Sequence, residues 1–376
     1  MPQLTSYALH FKGSLHIGTR GVTLEEAGVS IPSDTLFSAL LESWMLAGGD
    51  IEKFIDPFVN KPTDEAPFLL TSAFPLAGEV CFYPMPMDLT RLFNKDKDVL
   101  RSRGKSLKKV KYLSEGLLRL AMDGQNLDEW LFPLNEKDTQ DKGAALQGGT
   151  LWLLQDEIGK LPEGFRKSRF ITPLLNVWRE TRVPRVTIER ITNTSGIYQA
   201  GRVQFAKECG LWFGVDWRKP DESLADETSY KSAFERALLV LQDNGLGGER
   251  SSGYGAFTSE VMPTSFTYNE PNQKDAAYLL NRYIPAEGEL PEVLTDPRSA
   301  YELFALNGWL RSFSGKAQRR KRQTLVAEGS LVCLRNYPAG RVTKLRPDYD
   351  AVEGELPHNV YRSGLALAVN WPARGG

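Results

Sequence analysis

The amino-acid sequence predicts an α+β fold in two domains, and three observations support this class. The chain has 376 residues, of which 41% are hydrophobic and 25% charged, enough for two globular cores of ordinary size. Residues 1–262 contain strand-like and helical segments in the order β-α-β followed by β-α-β. After Pro263 a looser alternation of strands and helices starts again. We therefore expect two domains of ferredoxin-like (RRM-like) topology, at 1–262 and 263–376, the first with insertions at about 82–214.

The first strand–helix unit lies at the amino end of the chain. Residues 4–13 alternate loosely between apolar and polar side chains, which predicts a strand followed by a glycine-bounded loop. Pro32 marks the start of a helix, and Ser33 or Asp34 is expected to cap it. The apolar residues that fall on one face of this helix, before Gly48 ends it, are Leu36, Phe37, Leu40, Leu41, Trp44 and Met45.

A projecting hairpin is expected in the middle of the chain, after a predicted helix at Ser114–Met122. Residues 186–190 and 197–205 are strand-like and flank a polar turn at 192–196, a pattern typical of a β-hairpin. The arginines on this hairpin are Arg182, Arg185, Arg190 and Arg202.

The second β-α-β unit comprises a buried strand at 211–215, a helix at 229–244 and a strand at 256–262. In the second domain, strands are expected at 278–284, 323–334 and 364–370, with a helical stretch near 299–306.

The most informative segment is the glycine-rich loop at 246–255, directly behind the second helix. Glycines let backbone N–H groups approach an anion, the serines add neutral donors, and Arg250 adds a charged fork. This inventory suits contact with a phosphate backbone better than reading of bases. A helix C-cap followed by a tight turn is the alternative interpretation.

Charge is balanced overall but clustered locally. The net charge is −1, from 46 basic and 47 acidic residues, so no global field attracts the protein to nucleic acid. Basic residues concentrate at 95–111 and at 316–322, and both runs are interpreted as phosphate-seeking loops, although such runs are often solvated faces.

Several classes of protein are disfavoured by the sequence. It contains no apolar run long enough to cross a bilayer, and its start lacks the features of a signal peptide, so a cytoplasmic location without membrane contact is expected. The three cysteines are far apart and show no zinc-binding spacing. Carboxylate pairs such as Asp348 and Asp350 lack histidine or cysteine at ligand spacing, so neither a metal nor a cofactor is expected.

Six segments, taken in order, carry a resemblance to a known family. The segments at 31–40, 105–113 and 185–190 are similar to the RAMP-superfamily subunit that caps the crRNA 5′ handle in type III CRISPR effector complexes. Those at 307–309, 327–330 and 358–364 resemble the last third of the fourth Csm subunit of type III-A systems. The chain looks longer than is usual for this family around 123–172.

The resemblance implies a non-catalytic protein that binds the 5′ handle. It also implies contact with the large polymerase- or cyclase-like subunit and with the backbone RAMP subunit of the Csm complex, and only indirect contact with target RNA. The hairpin resembles the thumb of related subunits, with Ile191 or Ile197 as a wedge between bases. The residues that the resemblance and the loop chemistry together place on RNA are His16, Arg20, Ser33, Lys105, Lys108, Lys109, Arg185, Arg190, Gly247, Gly248, Arg250, Ser251, Ser252, Gly253, Tyr254, Tyr361 and Arg362.

For several of these residues a structural role is the alternative. Tyr254 is equally suited to packing at the start of a strand, and Arg185 or Arg190 to surface ion pairs with Glu180 or Glu189. Tyr361 and Arg362 are expected to line the RNA cleft from the second domain.

Other functions stay open at this stage. A crRNA-processing RAMP endoribonuclease would use histidine in acid–base chemistry, and the chain offers His10, His16 and His358. His10 is expected within a strand, which leaves the other two. A handle-binding subunit of another type III subtype and a protein–protein adaptor are the remaining alternatives.

Overall fold

The computed structural model describes residues 1–18, 28–62, 66–94, 97–102, 104–131, 142–167, 175–189, 194–225, 228–306, 309–310, 318–347 and 359–372. The strands are β1 (Gln3–Phe11), β2 (Phe68–Leu70), β3 (Phe74–Ala77), β4 (Val80–Pro84), β5 (Tyr112–Ser114), β6 (Gly143–Leu146), β7 (Leu151–Leu154), β8 (Trp178–Glu189), β9 (Thr194–Phe205), β10 (Cys209–Trp217), β11 (Ser223–Ala225), β12 (Thr228–Ser229), β13 (Phe257–Val261), β14 (Phe266–Thr267), β15 (Ala276–Leu279), β16 (Leu303–Leu306), β17 (Trp309–Leu310), β18 (Gln318–Arg319), β19 (Gln323–Val326), β20 (Leu331–Val332), β21 (Val342–Lys344), β22 (Tyr361–Ser363) and β23 (Ala368–Trp371). The α-helices are α1 (Ser33–Leu46), α2 (Ile51–Asn60), α3 (Lys97–Ser102), α4 (Gly104–Leu107), α5 (Glu115–Met122), α6 (Asp128–Leu131), α7 (Glu163–Arg166), α8 (Tyr230–Asn244) and α9 (Glu292–Thr295).

One large sheet organises the first part of the chain. Its strands run in the order β13-β1-β10-β3-β4-β5-β7-β6, with β2 also pairing β10 and β14 pairing β1. The elements β1, α1, β2/β3, β10, α8 and β13 form a β-α-β-β-α-β sequence whose strands lie in the spatial order fourth, first, third, second. The α+β class is confirmed.

The core forms where the two long helices pack against this sheet. Strand β10 is apolar and buried along nearly all of its length, as expected for a strand covered on both faces. Tyr7 of β1 stacks on Phe213 of β10 with ring centroids 5.2 Å apart, and Phe234 of α8 lies 5.8 Å from Tyr7. The buried face of α1 includes Leu36 and Leu40. The apolar spacing of both helices therefore fixes which face each one turns to the sheet.

The sequence predicts most of these elements within a few residues. The expected strands at 4–13, 211–215 and 256–262 are confirmed as β1, β10 and β13, and the expected helices as α1, α5 and α8. Helix α8 begins after Ser229, whose hydroxyl accepts the Ser232 N–H at 3.2 Å, and ends at Gly245 with φ +76°. Helix α2 was not predicted, and it contains Pro57 in its interior.

The predicted hairpin is confirmed and is longer than expected. Strands β8 and β9 pair through twelve residues each, from Trp178 opposite Phe205 to Glu189 opposite Thr194. At its base, Leu15 and Val203 exchange two backbone hydrogen bonds of 2.8 Å. This exchange joins the hairpin to the segment that follows β1.

The second part of the chain consists mainly of short strands. Its sheets have the order β20-β15-β23, β16-β19, β17-β18 and β21-β22. The helix expected near 299–306 is wrong, because residues 303–306 form β16 and pair with β19, so long-range pairing overrides the local pattern. The strand expected at 278–284 is displaced to β15, since the Asn281 side chain instead bonds the backbone of Leu365 and Leu367. Among the described residues of this second part, the structure shows one α-helix, α9, whereas a ferredoxin-like domain has two. The ferredoxin-like topology of the second part therefore stays a prediction.

No helix in the part of the chain that the structure describes has both the length and the apolar character needed to cross a bilayer.

Candidate nucleic-acid interface

A cleft of about 630 Å³ lies between the first and second parts of the chain. One wall comes from the segment after β1, from the first turns of α1 and from the loop after α8. The other wall comes from the segments around β15, β16, β19 and β22. Its lining residues include His16, Thr35, Glu42, Gly247, Gly248, Arg250, Arg282, Glu302, Phe304, Arg320, Glu328 and Arg362. The predicted site residues that meet in this cleft are therefore His16, Gly247, Gly248, Arg250 and Arg362.

Backbone hydrogen bonds hold the glycine-rich loop against the segment that follows β1. The Gly248 N–H donates to the His16 carbonyl and the Gly255 N–H to the Ser14 carbonyl, each at 2.8 Å. At Gly247, φ is +89° and a Cβ atom would lie 2.3 Å from the His16 carbonyl oxygen. Glycine is required there both by the left-handed backbone and by the close approach. The segment that follows the helix C-cap at Gly245 thus also forms a wall of the cleft.

Arg250 points into the cleft from this loop. Its guanidinium lies 3.4 Å from a carboxylate oxygen of Glu42 on α1, and each side chain is 37% exposed. An ion pair this exposed contributes about 0–1 kcal/mol. Ser251 and Ser252 complete a short 3-10 turn with Arg250, and they and Gly253 are exposed outside the cleft lining.

The hairpin touches the same loop through Arg185 and Tyr254. The Arg185 guanidinium lies over the Tyr254 ring, 5.6 Å from its centroid. Glu180, which the sequence suggested as an ion-pair partner of Arg185, accepts a hydrogen bond from the Trp178 indole at 3.1 Å. Tyr254 is half-buried. A cation–π contact therefore connects the hairpin to the glycine-rich loop.

His16 is buried beside the cleft, with 4% of its surface exposed. Its Nδ1 atom lies 2.6 Å from the Gly201 carbonyl oxygen on β9. Because a carbonyl can only accept, Nδ1 carries the proton in this contact. The ring is thus held between the hairpin and the glycine-rich loop.

Asp34 anchors the opposite wall, and the role predicted for it was wrong. The residue before α1 is Pro32, which has no side-chain cap, and Asp34 is fully buried. Its two carboxylate oxygens accept from Arg282 at 3.3 Å and from Arg362 at 2.9 Å. Ser33 does not cap the helix either, since its hydroxyl accepts the Arg282 backbone N–H at 3.1 Å. A carboxylate of the chain itself thus meets the positive end of α1.

Arg282 and Arg320 were not predicted as site residues. Arg282 also lies 3.3 Å from Glu328 and 4.3 Å from the Phe304 ring centroid. Burial, together with the repulsion of the nearby Arg362 and Arg282, lowers the pKa of Arg320 to about 10 against the opposing attraction of Asp34. Arg320 lies in the basic run at 316–322, so the sequence did contain a signal for a site residue there. Nothing in the local sequence distinguishes Arg282.

Tyr361 and Arg362 do not share a face, which corrects the expectation that both line the cleft. Arg362 lines it, but Tyr361 is 5% exposed and its hydroxyl donates to Glu52 at 2.9 Å. Burial, together with Glu52, raises the pKa of Tyr361 to about 12. Adjacent residues of a strand point to opposite faces, so a contiguous pair cannot both face one cleft.

The remaining predicted residues lie elsewhere. Lys105, Lys108 and Lys109 are exposed on and after α4 and do not line the cleft. Ile197 pairs with Val186 in the hairpin. Arg20, Arg190, Ile191 and His358 lie outside the described residues. Within the described ranges, no three His, Cys, Asp or Glu side chains are grouped as a metal site would require.

Comparisons with known proteins match most of the chain. Residues 272–371 match the model of the CRISPR Csm4 C-terminal domain. The CRISPR system Cms protein Csm4 of Thermococcus onnurineus is 25% identical over 342 residues, which cover 89% of each chain. That of Streptococcus thermophilus is 23% identical, with 91% of this chain and 92% of the relative covered. The resemblance stated from the sequence is confirmed. The shares covered indicate relatives of similar overall length, and the expected excess around 123–172 stays a prediction.

Solved structures show the same fold. A chain of the Csm3-Csm4 subcomplex in the type III-A CRISPR-Cas interference complex superposes with a TM-score of 0.64 at 15% identity, covering 98% of this chain and 100% of that chain. A chain of the Csm1-Csm4 cassette in complex with pppApA gives a TM-score of 0.55 at 19% identity, with both chains fully covered.

Proposed function

We propose that this chain, whose relatives are Csm4 proteins along most of its length, is the subunit of a type III-A CRISPR effector complex that holds the crRNA 5′ handle without cutting it. The observation that carries the proposal is the cleft. It places the glycine-rich loop opposite arginines from the second part of the chain, in a fold like that of Csm4 structures. Single-stranded RNA offers the phosphates and unstacked bases that such a cleft suits.

Arg250 is the phosphate contact on the loop side. Its ion pair with Glu42 is weak because both side chains are more than one-third exposed. A phosphate accepts two parallel guanidinium hydrogen bonds, so RNA can replace Glu42 as the partner of Arg250. The ion pair then holds the guanidinium in place until RNA binds.

The hairpin supplies the second contact with the guide. The Arg185–Tyr254 contact places the middle of β8 beside the glycine-rich loop, so RNA lying on the loop also meets the hairpin. Ile191 and Ile197, near the turn, are proposed as the wedge between bases, and Arg190 as a flanking phosphate contact.

The proposed protein partners follow from the complexes in which the neighbours were solved. Those structures are a Csm3-Csm4 subcomplex and Csm1-Csm4 cassettes. We infer that this chain joins the large subunit to the first backbone subunit, meets target RNA only through the guide, and works in the cytoplasm.

The non-catalytic part of the proposal is supported by the geometry of His16. Its ring is buried and its Nδ1 proton is committed to the Gly201 carbonyl. Incubation of the purified chain with radiolabelled repeat RNA is expected to retain the RNA without product. A cleavage product that disappears in His16→Gln would instead indicate a processing endoribonuclease.

RNA binding itself is tested by neutralising Arg250. We expect Arg250→Gln to weaken the binding of single-stranded repeat RNA about fivefold and to reduce the slope of log K against log salt by about 0.7. The matched control is Arg335→Gln, which removes an arginine paired with Glu292 at 3.5 Å, outside the cleft lining. Equal effects of the two substitutions, or none, would favour an adaptor without a specific RNA site.

A further inference from the structure

We propose that Lys105, Lys108, Lys109 and Lys111 form a docking surface for an acidic face of a partner protein subunit. These four residues are called the lysine patch below. The inference rests on one part of the proposed function, that the chain joins other subunits, and names a surface for that contact. The patch belongs to the basic run at 95–111, whose described residues do not line the cleft.

The lysine patch carries positive charge that its surroundings do not balance. All four side chains are exposed, and no carboxylate of the described residues forms an ion pair with them. Arg101, earlier in the same stretch, differs because it pairs with Asp98 at 3.7 Å. Like charges that share one surface repel each other, so an acidic partner stabilises them when it binds. The basic residues between 99 and 114, where the sequence has no acidic residue, are Arg101, Arg103, Lys105, Lys108, Lys109 and Lys111.

A fixed turn of the backbone presents these lysines. The Lys108 N–H donates to the Gly104 carbonyl at 3.0 Å, and the Lys111 N–H donates to the Thr150 carbonyl at 2.9 Å. Between the lysines, the side chains of Leu107 and Val110 are buried. The apolar residues thus anchor the segment while the lysines point to solvent. A partner that binds here orders side chains but not the backbone, which keeps the entropic cost of binding low.

The lysine patch and the cleft lie at opposite ends of the large sheet. Lys111 directly precedes β5, whereas the first wall of the cleft follows β1. Successive antiparallel pairs connect β1 to β5 through β10, β3 and β4, so β1 and β5 run in the same direction. The start of β5 is therefore at the other end of the sheet from the end of β1. The four strand steps between them add a separation of about 19 Å. A phosphate held by Arg250 cannot also meet the lysine patch.

The side chains of the patch suit carboxylates better than single-stranded RNA. Proteins hold such RNA with aromatic rings or guanidinium planes on which unstacked bases lie. The aromatic residue of this stretch, Tyr112, is half-buried, and lysine has no planar fork. Exposed ammonium groups attract Asp and Glu side chains over a distance and mainly raise the rate of association. An acidic protein face is therefore the ligand that fits this surface.

The lysine patch also adjoins the contact between the two parts of the chain. The Met85 N–H donates to the Lys111 carbonyl at 2.8 Å, and the Met87 N–H donates to the Gly329 carbonyl at 3.0 Å. Lys111 is thus separated by one short segment from the second part of the chain. A subunit seated on the patch can contact both parts and still leave the cleft open to RNA.

The test measures the association of the full chain with the purified large subunit, and separately with the backbone subunit, by surface plasmon resonance at several salt concentrations. The variant combines Lys108→Gln with Lys109→Gln. The matched control combines Lys207→Gln with Lys231→Gln, which neutralises two exposed lysines elsewhere in the first part of the chain. We expect the Lys108/Lys109 variant to associate about three- to tenfold more slowly with one of the two subunits, because rim charges act mainly on the association rate.

Three accompanying results are expected if charge is the cause. The association rate of the Lys108/Lys109 variant should depend less on salt than that of the wild-type chain, and its thermal midpoint should be unchanged. The control variant should associate like the wild-type chain. Lys108→Arg combined with Lys109→Arg should restore the association rate, since both positive charges are kept.

The outcomes distinguish the lysine patch from the function on which it rests. If the wild-type chain binds a subunit and the Lys108/Lys109 variant and the control behave alike, the patch is wrong and the joining role stands. If the wild-type chain binds neither subunit, both are wrong. Weaker binding of the variant to repeat RNA, with unchanged association with both subunits, would assign the patch to nucleic acid and overturn the inference. Equal losses in the Gln and Arg variants would show that shape decides, which also overturns it.

Discussion

Replacing Gly247 by alanine tests whether the glycine-rich loop has to lie against the segment after β1. The new Cβ atom would lie 2.3 Å from the His16 carbonyl oxygen and 2.8 Å from Ile17 Cδ1, at a φ of +89°. The left-handed backbone costs about 1–2 kcal/mol for a residue other than glycine. Relief of the contact, by a loop displacement of roughly 0.7 Å, costs about 1–3 kcal/mol more. We therefore expect Gly247→Ala to lower the free energy of unfolding by about 2–5 kcal/mol.

Gly253 provides the matched control for this prediction. It also has a left-handed backbone, with φ +80°, but a Cβ atom there meets nothing within 4 Å. Gly253→Ala should therefore cost only the backbone strain, about 1–2 kcal/mol. Urea unfolding measures both variants, and titration with repeat RNA should show about fivefold weaker binding for Gly247→Ala alone, or about 1 kcal/mol. Equal losses of stability, or RNA binding unaffected by Gly247→Ala, would refute the reasoning.

Three further predictions concern single side chains. Glu42→Gln should strengthen RNA binding by up to about fivefold, because it removes the competitor for Arg250, and a filter-binding titration that shows weaker binding would contradict this exchange. Asp34→Asn should lower the free energy of unfolding by about 3–5 kcal/mol, because it leaves two arginines without their shared buried carboxylate, and a loss below 1 kcal/mol in urea unfolding would argue against the anchor. Tyr361→Phe should lower the free energy of unfolding by about 1 kcal/mol, because the hydrogen bond to Glu52 is lost, and should leave RNA affinity unchanged. Weaker RNA binding of this variant in the filter-binding titration would indicate that Tyr361 does contact RNA.

Local patterns in the sequence were sufficient for the elements that build the first wall of the cleft. The apolar spacing of α1 and α8 and the glycines after α8 are set by neighbours within a few residues, so periodicity and φ preferences identify them. The glycine-rich loop was recognised for the same reason. Its contact with His16 was not, since that contact joins segments more than 200 residues apart in sequence.

The second wall could not be predicted, because its parts meet only in the folded chain. Asp34 has the sequence context of a helix cap, and its actual partners, Arg282 and Arg362, are 248 and 328 residues away. Local preference likewise favoured a helix at 299–306, where pairing with β19 decides for a strand. Long-range charge pairing and strand pairing carry no signal in a single sequence unless a resemblance supplies the context.

The most direct test of the central claim is a structure of the full chain bound to guide RNA within its complex. We expect the crRNA 5′ handle to lie in the cleft, with the Arg250 guanidinium and the Gly247 backbone N–H within hydrogen-bond distance of its phosphates. A handle bound elsewhere on the protein, with the cleft still holding the Arg250–Glu42 pair, would contradict it.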